Sequence, residues 1–449
     1  FGCSWVCLLL FSHAAMWSLV QRSSINSASG MEQEDSFVLA AGAVAHLHES
    51  ISGRPGVSKW QAVRNMIVGG LGTGMFSLPW AMAGASIVPG VAITLVVVAV
   101  NMWTIMILVE GAEMHQVFDL GGLLRKLPGR LGVFMQMFTN GIVWVALMGS
   151  LFSYLIAIHD CVRPLVSGTF LDDRLPMIAA AALLVLPLCF LDQRYLSCTS
   201  LIALMMNAYL FAIICSLLWQ KTLSHSLPSG SCSLGFASGG VTMISSMMQC
   251  IIIQMCVLPM YKELEDRSPR QFFWVLVVSF CSLGAFFCVF AVAGYVVFGP
   301  GVQPNIISDL PRSAVADAAR IGIVAVVAAV YPIMVIPMLA PVQNLSLEWF
   351  SKGGVVDDIA IRRRNWLVSV TTVFVVAISF LGGWWIHSLA IINVIDGAMC
   401  VGVFTALGPA LTGLYLLEKK SLPWKIAMWS LIAVGCMMSV AGFYFNNNH

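Results

Sequence analysis

Four glycines stand within six positions of an otherwise apolar run: Gly69, Gly70, Gly72 and Gly74, with Pro79 five residues further on. Glycine and proline are the poorest helix formers, so a helix is expected to break here. In hydrocarbon an unpaired backbone N–H or C=O costs several kcal/mol, and irregular backbone persists only where protein covers it or it lines a polar cavity. The N–H groups freed over residues 70–74, with the Thr73 hydroxyl among them, suit a carboxylate, as does the positive end of the half-helix that follows. The same glycines suit two further roles. Gly70 and Gly74 form a GxxxG pair of the kind that lets helices approach. The run also resembles a nucleotide-binding glycine loop, although no strand precedes it.

A second set of candidates is polar. Gln249, Gln254 and Pro259 interrupt the apolar run at 237–261, and the two amides suit a substrate, freed backbone groups or a neighbouring helix. Asp396, beside Asn393 and Gly397, stands well inside another apolar run. Ionisable residues are rare in membranes and are candidates for proton transfer by default; the alternative is a structural, hydrogen-bonded carboxylate. Glu110 and Glu113 fall at the end of a run, where solvation or an ion pair suits them. His387 follows Trp384 and Trp385 in what resembles an interfacial aromatic belt and is expected to face solvent. Arg362, Arg363 and Arg364 anchor topology or attract anionic lipid.

These residues need elements to hold them, and composition says which kind. Of 449 residues 59% are hydrophobic and only 10% charged, where soluble domains carry about 25% charged residues. The chain is therefore expected to be an all-α polytopic membrane protein, and nucleic-acid binding has no support. Apolar windows long enough to span, about 20 residues each, fall near 62–88, 90–113, 131–158, 175–191, 196–219, 237–261, 271–298, 313–346, 365–386, 388–416 and 423–444. With the N-terminus cytosolic, seventeen Lys and Arg fall in inner segments and five in outer ones, and the positive-inside rule fixes that orientation.

The expected organisation is an N-terminal segment, 1–59, followed by one eleven-helix domain, 60–449. Residues 1–30 begin without methionine and precede Met31; they are expected to be an artefact of upstream translation or an extra apolar segment, with 31–59 a cytosolic tail. The 13 cysteines form no CxxC or His/Cys cluster, so neither metal nor cofactor is expected. Cys161 and Cys232, both assigned to the outer side, are candidates for a disulfide.

Several motifs resemble the amino acid/auxin permease family. The run from Asn65 through Gly69, Gly70, Gly72, Thr73 and Gly74 to Pro79 and Ala81 is similar to its opening signature. Leu258-Pro259-Met260-Tyr261-Lys262-Glu263-Leu264, continuing to Arg267, Ser268 and Arg270, resembles the sixth-span end of its sodium-coupled neutral amino acid transporter branch. Thr199 and Ser200, Gly294 to Gly299, and Gly397 to Pro409 extend the match across about 60–445.

The resemblance implies a LeuT-type fold of two inverted five-helix repeats plus an eleventh helix, moving amino acids by alternating access. It implies that the α-carboxylate sits on Gly69, Gly70, Gly72, Thr73 and Gly74. The α-amino group would face carbonyls near Ile67, Val68 and Ile253, with Gln254 beside them. Asn65 corresponds to a sodium-binding asparagine. The branch places a hydroxyl ligand in the eighth span, whereas residues 321–338 hold no Ser or Thr and one phenol, Tyr331. A hard cation wants several oxygens, so H+ stands beside Na+ as coupling ion, with Asp396 its candidate carrier. The expected partners are a small amino acid and the lipid bilayer, with the chain acting as a monomer.

Other classes find less. A membrane-embedded enzyme needs a cluster such as HExxH, GxSxG or paired aspartates, and none appears. A channel needs a filter or charge ring. A non-transporting amino-acid sensor on the same fold is the alternative that the residues leave open.

Overall fold

Helices account for the described chain. The computed structural model describes residues 57–190, 199–226, 228, 239–343, 358–419 and 421–446. Each of the eleven expected apolar windows has a helical counterpart. The first is a bent pair, Lys59–Gly70 and Thr73–Ala85, turned by 49° at a short break. Then follow Ile87–His115, Arg130–Val162, the short Arg174–Leu188, Thr199–Leu223, and the sixth, Gly240–Lys262, which is also interrupted. Pro269–Phe298, Ala314–Gln343, Asp358–Trp385, Leu389–Tyr415 and Leu422–Asn446 complete the set.

Burial is inverted relative to a water-soluble protein. Trp60, Val96, Leu183, Phe374, Trp385 and Val440 face outward, while Asn101, Gln254, Asn393 and Asp396 lie inside. Lipid accepts the first group at no cost, and the second must find partners within the bundle. The tenth span is the central column, 83% buried, and packs on the third and sixth; the eleventh is only 17% buried and lies against the tenth from outside. The two interrupted spans meet: the 3-10 turn Thr73–Ser77 packs on the first half of the sixth span.

At the Lys59 end of the bundle, the motif after Pro259 ties the second and sixth spans together. The Tyr261 hydroxyl donates to Glu113 Oε2 at 2.9 Å, and Arg267 Nε donates to the same oxygen at 3.1 Å. The guanidinium of Arg267 also lies 4.4 Å from the Phe118 ring centroid. Val57 and Leu264 form a parallel β-bridge beside this cluster. Glu110 pairs with Lys419, so both glutamates of the second span carry ion pairs. At the opposite end His387 is exposed, and Trp385 C=O lies 2.9 Å from its Nδ1. Arg320 is buried there; it donates to Asp317 Oδ1 at 2.7 Å and to the Leu310 carbonyl at 2.6 Å. Cys161 is buried at that end, while Cys232 and residues 1–56 lie outside the described residues.

The sixth span is interrupted between its two glutamines. Pro259 lies within the helix Gln254–Lys262, and the break comes earlier, at Ile252 and Ile253. The reason is local. Gln254 Oε1 accepts the N–H of Ile253 at 3.1 Å, satisfying a backbone donor that the break releases.

Candidate functional site

The first-span helix stops at Gly70. Leu71 has φ −88° and ψ 77°, Gly72 is extended at φ −105° and ψ −174°, and a 3-10 turn starts at Thr73. The residues of the break partly satisfy themselves. Leu71 N–H donates to Ile67 C=O at 3.2 Å, and Gly72 N–H donates to Gly70 C=O at 3.2 Å. The Leu71 carbonyl accepts from Asn207 Nδ2 of the fifth span at 3.3 Å. Thr73 and Gly74 open the next helical segment, where the first N–H groups have no carbonyl one turn earlier to bond. Those donors and the half-helix dipole point back at the break.

The glycines divide by task. A Cβ on Gly70 would come within 2.6 Å of Leu283 Cδ1 in the seventh span, and one on Gly74 within 3.1 Å of Cys250 Sγ in the sixth. These two admit close packing, each against a different neighbour. Gly72 has nothing within 4 Å of the same position and is exposed. It opens on a cleft between the first, third, fifth and eighth spans, whose walls include Thr73, Tyr154, Asn207 and Val330.

A substitution pair separates the two tasks. Gly72→Ala is expected to leave thermal unfolding unchanged, because its backbone angles suit any residue and its surroundings are empty, yet to weaken ligand binding about tenfold. Gly70→Ala is expected to cost about 1–3 kcal/mol of stability by overpacking against Leu283. Unfolding curves and ligand titration on both proteins read the contrast.

The other polar candidates collect on the far side of the first span, around the tenth. Gln249 Nε2 donates to Asp396 Oδ2 at 2.8 Å, and Cys400 Sγ lies 3.9 Å from the other carboxylate oxygen. Gln249 also lies against Gly74, its Cγ 3.6 Å from where a Cβ would stand there, so one side chain separates Asp396 from the first-span break. Its Oε1 is buried and has no partner among the described residues. One helical turn before Asp396, Asn393 Nδ2 donates to Ser77 Oγ at 3.0 Å, and Ser77 Oγ donates to the Gly74 carbonyl at 2.9 Å. Ser153 of the third span donates to Asn393 Oδ1 at 3.2 Å. The Gln249 side chain thus lies between Asp396 and the glycine run, and one turn earlier a hydrogen-bond chain runs from Asn393 through Ser77 to the Gly74 carbonyl.

Gln254 is fully buried and engaged. Besides Ile253 N–H, its amide meets Asn101 Oδ1 of the second span and lies 3.4 Å from Thr405 Oγ1. Thr405 belongs to Val401–Leu407, where the tenth span widens into a π-helix. The Ile253 carbonyl accepts from Cys256 N–H at 2.8 Å, and those of Ile67 and Val68 both accept from Leu71 N–H. Asn65 is half-buried on the first half-helix, before the break. The eighth-span phenol, Tyr331, meets Ser379 of the ninth span, leaving aliphatic side chains as that span's contribution to the cleft.

Asn207 and Tyr154 at the cleft, and Ser77 and Asn101 in the polar contacts around the two breaks, are candidate site residues that no motif marks. The rule that singled out Asp396, a polar group inside an apolar run, would have found Asn101 and Asn207 as well. Nothing in the sequence tells which neighbour each meets.

Residues 55–446 match the family model described as transmembrane amino acid transporter protein. The chain is similar to mouse solute carrier family 38 member 10, 23% identical over 395 residues, covering 83% of this chain and 34% of that protein. It thus spans about a third of the length of that relative. It is also similar to amino acid transporter AVT6E of Arabidopsis thaliana, 23% identical over 319 residues, covering 66% of this chain and 65% of that one. Among solved structures, a Na+-coupled sialic acid symporter superposes with a TM-score of 0.50 at 13% identity, over 88% of this chain and 91% of that one. The likeness is one of fold, and the architecture is the LeuT-type arrangement with an eleventh helix.

Proposed function

The chain belongs to the transmembrane amino acid transporter protein family, and from that premise we propose that it is a secondary active carrier of neutral amino acids, working by alternating access with the substrate at the first-span break. The observation that carries this is Gly72, an open glycine at a helix break, facing a cleft beside Thr73. The substrate carboxylate is assigned to the amides of Thr73 and Gly74 and the Thr73 hydroxyl, since the Gly72 N–H is held by the Gly70 carbonyl, and the α-amino group to the carbonyl end of the first half-helix near Ile67 and Val68. Gln254 is assigned to the sixth-span break rather than to substrate, since its amide is already engaged.

A proton is the favoured coupling ion. Asp396 supports this by its place one side chain from the break, and the aliphatic eighth-span wall supports it by offering a sodium ion no hydroxyl. Asn65 is the residue to which a sodium ion would turn. The N-terminus is assigned to the cytosol from the distribution of Lys and Arg. The plant relative is a carrier by name, which lends the sensor alternative no support.

Purified protein in liposomes tests this. Uptake driven by an imposed pH gradient and indifferent to sodium is the expected result. Sodium-driven uptake indifferent to pH would overturn the coupling assignment, and no uptake of any of the common amino acids under either gradient would overturn transport itself.

A further inference from the structure

The cleft at Gly72 has two chemically unlike sides. The polar groups are the backbone at Gly72, the Thr73 hydroxyl, the Tyr154 phenol of the third span and the Asn207 amide, the last already holding the Leu71 carbonyl. The eighth span contributes Ile323, Val326, Val327 and Val330. Their spacing of three and four residues puts them on one helix face, so that span presents an unbroken aliphatic wall. Met206 and Phe76 add further apolar surface. No charged side chain lines the cleft among the described residues.

With the substrate seated here, a premise that rests on the transporter assignment, its carboxylate and amino group take the polar side and its side chain must lie on the aliphatic wall. The geometry points to amino acids with an aliphatic or thioether side chain, of the leucine, isoleucine, valine and methionine class, as the substrates, with Val326 as a specificity-determining residue. A charged side chain against that wall would be stripped of water with no partner, and a carboxamide would lose its hydrogen bonds. Val326 is the natural probe. It is partly exposed toward the cleft, whereas Ile323, Val327 and Val330 are buried.

The test uses full-length protein in liposomes with inward proton and sodium gradients imposed together, so that the outcome is independent of the coupling ion. Labelled leucine is competed with valine, methionine, glutamine, arginine and glutamate. The expected result is strong competition by valine and methionine, at least about tenfold weaker competition by glutamine, and none by arginine or glutamate. Val326→Thr, which keeps the shape and adds a hydroxyl, is expected to shrink the leucine-over-glutamine preference at least threefold. Val373→Thr, at an exposed ninth-span position, should leave it unchanged, and melting curves of both variants check that they fold.

Glutamine or arginine carried as well as leucine would overturn the substrate class while leaving transport intact. A preference indifferent to Val326→Thr in a folded protein would overturn the role of the eighth-span wall. Carriage of no amino acid at all would instead remove the transporter assignment on which the class depends.

Discussion

Asp396→Asn is expected to reduce pH-driven uptake at least a hundredfold while leaving exchange of internal for external substrate within about threefold of wild type. Net symport needs a group that takes a proton on one side and gives it up on the other. An amide cannot do so. Exchange of one loaded form for another needs only the alternation of the site. Asparagine retains an acceptor oxygen for Gln249 Nε2, which donates to Asp396 at 2.8 Å, so the contact between the sixth and tenth spans survives and the defect is confined to coupling. Parallel uptake and counterflow assays on the same liposomes make the comparison. If Asp396→Asn kept full pH-driven uptake, Asp396 would be a structural carboxylate and the proton would need another carrier.

The neighbouring residue is expected to give the largest loss of stability. A Cβ on Gly397 would lie 1.9 Å from the Ser245 carbonyl oxygen. That atom is helix backbone, which has no rotamer to change, so Gly397→Ala must push the tenth span away from the sixth. Overpacking of this kind costs about 1–3 kcal/mol and sometimes more, and here the upper end or beyond is expected. Gly141→Ala supplies the control. It lies in the third span with nothing within 4 Å of the added atom, and the better helix propensity of alanine should leave stability unchanged or raise it by up to about 1 kcal/mol. Thermal unfolding in detergent distinguishes the two. Equal melting of Gly397→Ala and wild type would mean that these two spans do not approach as closely as the geometry requires.

The contrast between these neighbours shows how much a linear chain says. Sequence by itself determined the membrane class, the eleven apolar windows and the interruption at residues 69–74. These depend on local properties: hydropathy over about 20 residues, the poor helix propensity of glycine and the cost of bare backbone in lipid. It also singled out Asp396, because a carboxylate in an apolar run stands out wherever its partners lie.

Tertiary structure decided what depends on distance between spans. GxxxG packing and an open break were alternatives for the same glycines, and the bundle divides them: Gly70 and Gly74 pack on two different spans, and Gly72 opens on the cleft. Within the stretch from Gln249 to Tyr261 it placed the sixth-span break at Ile252 and Ile253, between the two glutamines, where Gln254 turns back to cap the freed N–H. It brought Gln249 from the sixth span onto Asp396 in the tenth, 147 residues away. Local propensity can mark where a helix must fail and where a charge is out of place. Which space that failure opens, and which side chain meets the charge, is set by the packing of spans far apart in the chain, and no local property of the sequence records it.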